Sequence, residues 1–188
     1  MKIFAHDPGT SNYGYAIVEG EPVSDTKLKF RVLENGMCPC TMKELKDHRL
    51  RRIEKNSYLK WVGELIDKFQ PDYMIAERFM TRGISGPTIE SVNMMLGILQ
   101  SFNLRDKYIP AAVWKNAATR NGIELKAWYK FCRVAPHPLD ATLIGVYDLH
   151  QRHKVKDFGS LNERTFERLI HMVEQTTTSK LFNRKARQ

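Results

Sequence analysis

Three acidic residues and one histidine lie where the local sequence pattern predicts the ends of two strands and the start of a helix. Asp7 and Glu77 each end a short apolar run. His137 and Asp140 are three residues apart, and Pro138 between them favours a helix start, so the two side chains can share a first turn. Carboxylate oxygens suit Mg²⁺ or Mn²⁺, and such a cluster can hold two ions that promote phosphodiester hydrolysis. These four residues are therefore candidate catalytic and metal-binding residues.

Each of the four residues also has an ordinary structural interpretation. Asp7 begins an Asp-Pro-Gly sequence that is strong turn chemistry, and Glu77 could be an exposed acid at the end of a strand. His137 could be a helix N-cap, and Asp140 a first-turn acid favoured by the helix dipole. The shared-site hypothesis is favoured because the set occurs in a basic chain.

Charge and composition favour a polyanionic partner. The 188 residues include 30 Lys+Arg against 21 Asp+Glu, a net charge of +9, and basic patches supply much of the affinity for phosphate backbones. The 42% hydrophobic fraction argues against disorder. The sequence shows no bilayer-spanning apolar run and no secretory leader, and three cysteines suit a reducing compartment. We expect a cytoplasmic or nucleoid-associated protein that is not secreted and has no membrane partner.

The elements that must position these residues follow an α/β pattern. Three N-terminal strands joined by turn residues predict an antiparallel meander, over residues 2–7, 13–18 and 28–33. Thr41 and Glu44 form a capping-box pattern, which predicts a helix from there to about Phe69. A fourth strand over residues 73–76 places Glu77 at its C-terminal end. If the first and fourth strands are neighbours, Asp7 and Glu77 end side by side, at the sheet edge where α/β proteins bind ligands.

The rest of the chain predicts alternating helices and strands. The expected elements are a helix over residues 88–102, a strand over 108–113, two short helices within 114–134, and helices over 139–151 and 162–176. The fold class is therefore α/β, a mixed five-stranded sheet flanked by helices. One domain covers residues 1–188, with a core over about 1–150, a helical extension over 151–179 and a basic tail over 180–188. The apolar stripe of the helix over 88–102 is a candidate dimer surface, or it packs on the protein's own sheet.

Three sequence motifs resemble those of a known family. They are FAHDPGTS at residues 4–11, followed by GYA at 14–16, then IAERFM at 75–80 and HPLDA at 137–141. Their order and rough spacing resemble the RuvC-like Holliday junction resolvases of the ribonuclease H superfamily, over residues 1 to about 150. His6 departs from the pattern, because the family usually has an apolar residue there.

The resemblance implies a ribonuclease H-like fold, a homodimer and paired nicking of four-way DNA junctions. It also implies dependence on Mg²⁺, for which Mn²⁺ could substitute, with two ions per site. Carried over by position, Asp7, Glu77, His137 and Asp140 are the metal-site residues. Phe79 occupies roughly the place of an aromatic residue that enters the junction core.

Basic residues before the last acidic motif are candidates for DNA contacts. They lie in a stretch rich in lysine, and phosphate contacts from lysine position a protein on DNA. The candidates are Lys115, Lys126 and Lys130. Solvated surface lysines are the equally ordinary alternative.

Three other functions fit part of the pattern. An N-terminal Asp-x-Gly also begins the phosphate loop of actin-like and sugar-kinase ATPases, but those need a second, similar domain for which this chain is too short. A related nuclease acting on structured RNA and a non-catalytic protein that binds branched DNA are closer alternatives. Substrate tests separate the structured-RNA nuclease from a junction resolvase. Metal-dependent cleavage would exclude the non-catalytic DNA-binding protein.

Overall fold

The structure, a computed structural model, describes residues 1–9, 12–25, 27–40, 42–45, 50–53, 55–78, 86–120, 125 and 136–154. Its strands are β1 Lys2–Asp7, β2 Gly14–Ser24, β3 Lys27–Met37, β4 Met42–Leu45, β5 Leu50–Ile53, β6 Tyr73–Arg78 and β7 Arg105–Pro110. Its helices are α1 Lys55–Phe69, α2 Pro87–Leu99, α3 Ala111–Arg120 and α4 His137–Arg152.

Five strands form the central mixed sheet, in the order β3-β2-β1-β6-β7. Strands β1, β2 and β3 are an antiparallel meander, whereas β6 runs parallel to both β1 and β7. His6 of β1 lies opposite Ala76 of β6, so Asp7 and Glu77 follow at the same sheet edge. The predicted α/β fold and the predicted pairing of the first and fourth strands are therefore confirmed.

Alternating side chains of the sheet build a core on each face. On β1, Ile3 and Ala5 belong to a buried cluster with α3 and α4, and Phe4 belongs to a second cluster with α1 and α2. Asp7 lies on the same face of β1 as Ile3 and Ala5, so it faces the layer that contains α4. The sheet therefore presents the acid at the end of β1 to the helix that carries His137 and Asp140.

Helix α4 lies very close to the sheet and is buried along most of its length. A Cβ on Gly145 would be 2.9 Å from Val18 Cγ2 and 3.2 Å from Ala5 Cβ, which is tighter than ordinary packing. The absent side chain lets the helix backbone approach β1 and β2 at this point. This contact fixes the distance between α4 and the strands that carry the site.

A buried ionic cluster holds the C-terminal part of α4. Asp148 is fully buried and accepts hydrogen bonds from Lys107 Nζ at 2.7 Å, from Arg152 Nε at 2.8 Å and from the Tyr73 hydroxyl. The Arg152 guanidinium also lies 3.4 Å from the centroid of the Tyr73 ring. Because a buried carboxylate needs such partners, the cluster ties α4 to β6 and β7.

The prediction of one long helix from Thr41 to about Phe69 is wrong over the first third of that range. Residues 42–53 include the two strands of a small antiparallel sheet, in which Met42 lies opposite Ile53, and α1 begins only at Lys55. The capping-box residue Glu44 lies opposite Arg51 in this ladder. The pairing of residues 42–45 with residues 50–53 therefore determines the structure here, and the local capping pattern does not.

Other element boundaries also differ from the sequence prediction. Strands β2 and β3 are longer than expected because their hairpin extends beyond the core, where Glu19 pairs with Arg31 and Glu21 with Lys29. The last strand ends at Pro110, whereas the sequence had suggested residues 108–113. Ala111 and the residues after it form α3 instead.

The apolar stripe of α2 packs on the protein's own sheet. Its members are buried in the cluster that contains α1, and they are Val92, Met95, Leu96 and Leu99. This confirms the alternative that the stripe packs on the protein's own sheet. The prediction that the stripe is a dimer surface is wrong. No helix among the described residues is long and apolar enough to cross a membrane. The expected helix over 162–176, the tail over 180–188 and the part of the 151–179 extension that follows residue 154 lie outside the described residues.

Candidate active site

Two parallel strands bring the first two acidic residues to one edge of the sheet. Asp7 is the last residue of β1 and is buried, and Glu77 is the penultimate residue of β6 and is partly buried. Since His6 pairs with Ala76, Asp7 and Glu77 occupy neighbouring positions of the two strands. The predicted juxtaposition is thus present.

The start of α4 brings the third candidate directly onto the first. His137 Nδ1 donates to Asp7 Oδ2 at 2.7 Å. Helix α4 begins at His137, and its capping residue is Pro136, whose carbonyl accepts hydrogen bonds from the backbone N–H groups of Leu139 and Asp140. The alternative interpretation of His137 as an N-cap is therefore wrong.

Gly14 makes this approach possible. It pairs with Asp7 across β1 and β2, and a Cβ on Gly14 would be 2.1 Å from the carbonyl oxygen of His137. No side chain fits at that distance from a backbone atom. The sequence motif therefore contains a glycine that seats the beginning of α4 beside Asp7.

Asp140 and Lys115 form the other side of the site. Asp140 is buried one turn into α4, and its Oδ2 lies 3.9 Å from Lys115 Nζ. The same ammonium group lies 4.9 Å from the centroid of the Trp114 ring. Lys115, predicted as a phosphate contact, is thus located among the candidate acids.

Trp114 is a site residue that sequence reasoning missed. Its indole Nε1 donates to Glu77 Oε2 at 2.8 Å, and its side chain is fully buried. A tryptophan next to a candidate lysine was a usable signal, because a buried indole N–H needs an acceptor and the nearest polar groups are those of the site. The lysines that follow Trp114 obscure this signal, because a stretch rich in lysine favours a solvated surface.

The pKa shifts show that the candidate residues share one electrostatic environment. Burial, followed by the negative charge of Asp7, raises the pKa of Glu77, while the Trp114 hydrogen bond and the charge of Lys115 oppose that rise. The hydrogen bond to Asp7 raises the pKa of His137 against the effect of burial, and the charges of Asp7 and Asp140 add to it. His137 is therefore held as a cation more readily than a free histidine.

The donor chemistry of the site suits a hard divalent cation. Its three carboxylates are the ligand type expected for Mg²⁺ or Mn²⁺. Among the described residues, no three His, Cys, Asp or Glu side chains form a ready cluster for a metal ion. Asp7 and His137 are hydrogen-bonded to each other, and Glu77 accepts a hydrogen bond from Trp114. The fit therefore rests on the donor types and on their common location.

His6 faces the opposite core from Asp7, because successive side chains of a strand alternate between its two faces. Its Nδ1 lies 2.8 Å from the Tyr13 hydroxyl, which lies 2.7 Å from the Tyr58 hydroxyl. Burial lowers the pKa of His6 to about 3, so the ring is neutral at physiological pH. A buried series of hydrogen-bonded side chains, His6, Tyr13 and Tyr58, thus begins at the position where the motif usually has an apolar residue.

Three predicted DNA contacts cannot be located relative to this site. Phe79, Lys126 and Lys130 lie outside the described residues. They remain predictions from the sequence.

Comparison with known proteins gives fold similarity without sequence similarity. No protein-family model matches the chain, and no curated protein sequence matches it. Among solved structures, Thermus thermophilus RuvC is similar with a TM-score of 0.61 and 18% identity, over 81% of this chain and 96% of that one. T. thermophilus RuvC in complex with a Holliday junction substrate gives 0.58 and 19%, over 82% and 98%. The yeast mitochondrial Holliday junction resolvase Ydc2 gives 0.50 and 16%, over 84% and 81%.

These similarities define the fold class. The chain has the α/β, ribonuclease H-like fold of the RuvC-type Holliday junction resolvases. The resemblance carried by the three sequence motifs is confirmed at the level of fold.

Proposed function

We propose that this chain is a metal-dependent endonuclease that resolves four-way DNA junctions, and other branched DNA, by paired symmetric nicking. The observation that carries the proposal is that Asp7 and Glu77 lie at the ends of neighbouring parallel strands of a RuvC-like fold, and that His137 at the start of α4 is hydrogen-bonded to Asp7. The structural neighbours add support, because RuvC was solved with a Holliday junction substrate and the yeast protein is a Holliday junction resolvase. The net charge of +9 suits a DNA partner.

Asp7, Glu77, Asp140 and His137 would hold the divalent cations. Mg²⁺, with Mn²⁺ as a substitute and two ions per site, would supply the positive charge that phosphodiester hydrolysis needs. Asp7 is central in this arrangement because it contacts His137 directly and interacts with Glu77 through its charge. Since Nδ1 of His137 is engaged by Asp7, Nε2 is the ring nitrogen left to bind a ligand or to accept a proton.

Lys115 would contact the phosphate that is cleaved. Its ammonium group lies beside Asp140 and its side chain is partly exposed, so it can meet a DNA backbone at the edge of the site. A lysine acts as a compact point charge on phosphate. We propose the same kind of contact for Lys126 and Lys130, and stacking on an unpaired base for Phe79.

The proposal includes assembly and location. Two symmetric nicks need two active sites related by a two-fold axis, and a homodimer provides them. A protein that acts on junction DNA would work in the cytoplasm or at the nucleoid. Residues 1–188 would act as one nuclease domain.

A substrate panel tests the function. Cleavage of a four-way junction, a flap, a linear duplex and a structured RNA is compared at equal concentration, with and without Mg²⁺. We expect Mg²⁺-dependent cleavage of the four-way junction, with two nicks at symmetric positions. Faster cleavage of the structured RNA would favour a ribonuclease, and junction binding without any cleavage would favour a non-catalytic DNA-binding protein.

A further inference from the structure

Trp114 connects two functional groups that lie on different elements. Its indole Nε1 donates to Glu77 Oε2 on β6 at 2.8 Å. Lys115 Nζ lies 4.9 Å from the centroid of the same ring. One buried side chain thus contacts a candidate metal ligand through its edge and a candidate phosphate contact through its face.

The fold fixes the position of this ring. Strand β7 runs parallel to β6 with Ile109 opposite Glu77, and α3 begins at Ala111 directly after β7. The first turn of α3 therefore lies beside the end of β6. Trp114 and Ala118 are the buried residues of α3, and both belong to the cluster that contains α4. Core packing therefore holds the indole in place whatever the state of Glu77.

A fixed N–H donor orients the Glu77 carboxylate. It engages Oε2, so that Oε1 remains for another ligand. Hydrogen-bond partners of metal ligands orient those ligands, and losing such a partner commonly weakens metal affinity.

We propose that Trp114 is a positioning residue for divalent cation binding, holding the Glu77 carboxylate in one orientation while its ring face seats Lys115. The inference rests on the proposed metal-dependent function and adds to it a residue outside the predicted ligand set. It assigns Trp114 a role beyond core packing.

Direct metal binding by the full chain tests this role. Mn²⁺ alone is titrated into wild type and Trp114→Phe, with free Mn²⁺ followed by electron paramagnetic resonance. A second variant carries 3-benzothienylalanine at position 114, which keeps the shape and the aromatic face of tryptophan but replaces the N–H by sulfur. Trp61→Phe is the matched control, because Trp61 is a buried tryptophan of the core on the other face of the sheet.

We expect both position-114 variants to bind Mn²⁺ about tenfold more weakly than wild type, as is usual when a ligand loses its hydrogen-bond partner. Trp61→Phe should bind Mn²⁺ like wild type, even if it is less stable. Should Trp114→Phe fail to fold, the 3-benzothienylalanine variant decides. Wild-type or tighter Mn²⁺ affinity in that variant would overturn the positioning role.

Glu77→Gln separates this inference from the proposed function. Weak Mn²⁺ binding by Glu77→Gln, together with wild-type affinity in the position-114 variants, would leave the proposed function standing and remove only the role of Trp114. Wild-type Mn²⁺ affinity in Glu77→Gln itself would remove Glu77 from the metal site, and with it both proposals about that carboxylate.

Discussion

His137 is the candidate residue whose contacts constrain its role most directly. Its ring nitrogen is hydrogen-bonded to Asp7, and it does not cap the helix that it begins. The resemblance to resolvases places either Asp or His at this position. Both residue types can bind a divalent cation, whereas alanine cannot.

His137→Asp should therefore cleave a four-way junction faster than His137→Ala at saturating Mg²⁺. The aspartate restores a ligand beside Asp7, and a bound cation would offset the repulsion between the two carboxylates. Single-turnover cleavage measures the difference, which we expect to be about tenfold or more, as for loss of an acid–base or ligand group. Junction binding by both variants serves as the control for folding. Faster cleavage by the alanine variant would contradict a role for His137 in the site.

His6 gives a pH dependence of stability that has no connection with cleavage. Its pKa is about 3 in the folded protein, far below the ordinary value of 6.5 for an unfolded chain. Below pH 6.5 the unfolded chain therefore takes up a proton that the folded protein does not. The free energy of unfolding should fall by about 2 kcal/mol between pH 7.5 and 5.0 through this residue alone.

The measurement is urea unfolding at pH 7.5, 6.5 and 5.0 for wild type and His6→Phe. The other histidines are common to both proteins, so they cancel in the comparison. The variant should lose less stability than wild type as the pH falls, whatever its stability at pH 7.5. Parallel pH dependences would show that His6 is protonated as easily in the folded protein as in the unfolded chain.

Among the elements, the contact between β2 and the start of α4 is the tightest constraint on the site. Gly14 lies against the backbone of His137, and a Cβ there would meet the His137 carbonyl at 2.1 Å. Gly97 of α2 offers a contrast, because it is exposed and a Cβ there would meet nothing within 4 Å. The two glycines allow the same substitution to be compared at a site position and at a neutral one.

Gly14→Ala should displace the start of α4 and slow cleavage by about 10²-fold, a usual result of moving a reacting group by about 1 Å. Gly97→Ala should leave the cleavage rate unchanged and stabilise the protein by about 0.5–1 kcal/mol, because alanine is the better helix former. Single-turnover rates and thermal unfolding of both variants test this. Wild-type cleavage by Gly14→Ala would show that the position of His137 does not depend on this contact.

The sequence predicted the sheet that carries the site better than the segments around it. Strands β1 and β6 follow from short apolar runs ending in an acid, and their neighbouring positions follow from the α/β pattern. The β4-β5 pair could not be predicted, because the Thr41 to Glu44 capping pattern is local whereas the ladder depends on residues 50–53. Trp114 was missed for a related reason, since its contact with Glu77 depends on where α3 begins relative to β6.

At the scale of the whole molecule, the central question is how one site per chain would make two nicks. The RuvC-like fold supplies the site once, at one sheet edge. A symmetric pair of cuts therefore needs a second chain, related by a two-fold axis. The stripe on α2 is excluded as the contact, because it is buried within the chain.

Two chains should bind each four-way junction. Sedimentation of the protein with junction DNA, in Ca²⁺ to permit binding without cleavage, should give a complex of two protein chains per junction. Junction DNA without protein and protein without DNA provide the reference masses. A complex of one chain that still cuts both strands would contradict paired nicking and favour a simple structure-specific nuclease.

Single-turnover cleavage of a four-way junction by three isosteric variants tests the proposed active site most directly. Asp7→Asn, Glu77→Gln and Asp140→Asn each keep the shape of the side chain but remove the charge that a divalent cation needs. Each should abolish Mg²⁺-dependent cleavage while retaining junction binding. Glu64→Gln, which changes an exposed acid of α1, should cleave at the wild-type rate. Full cleavage by any two of the three site variants would contradict the proposed site.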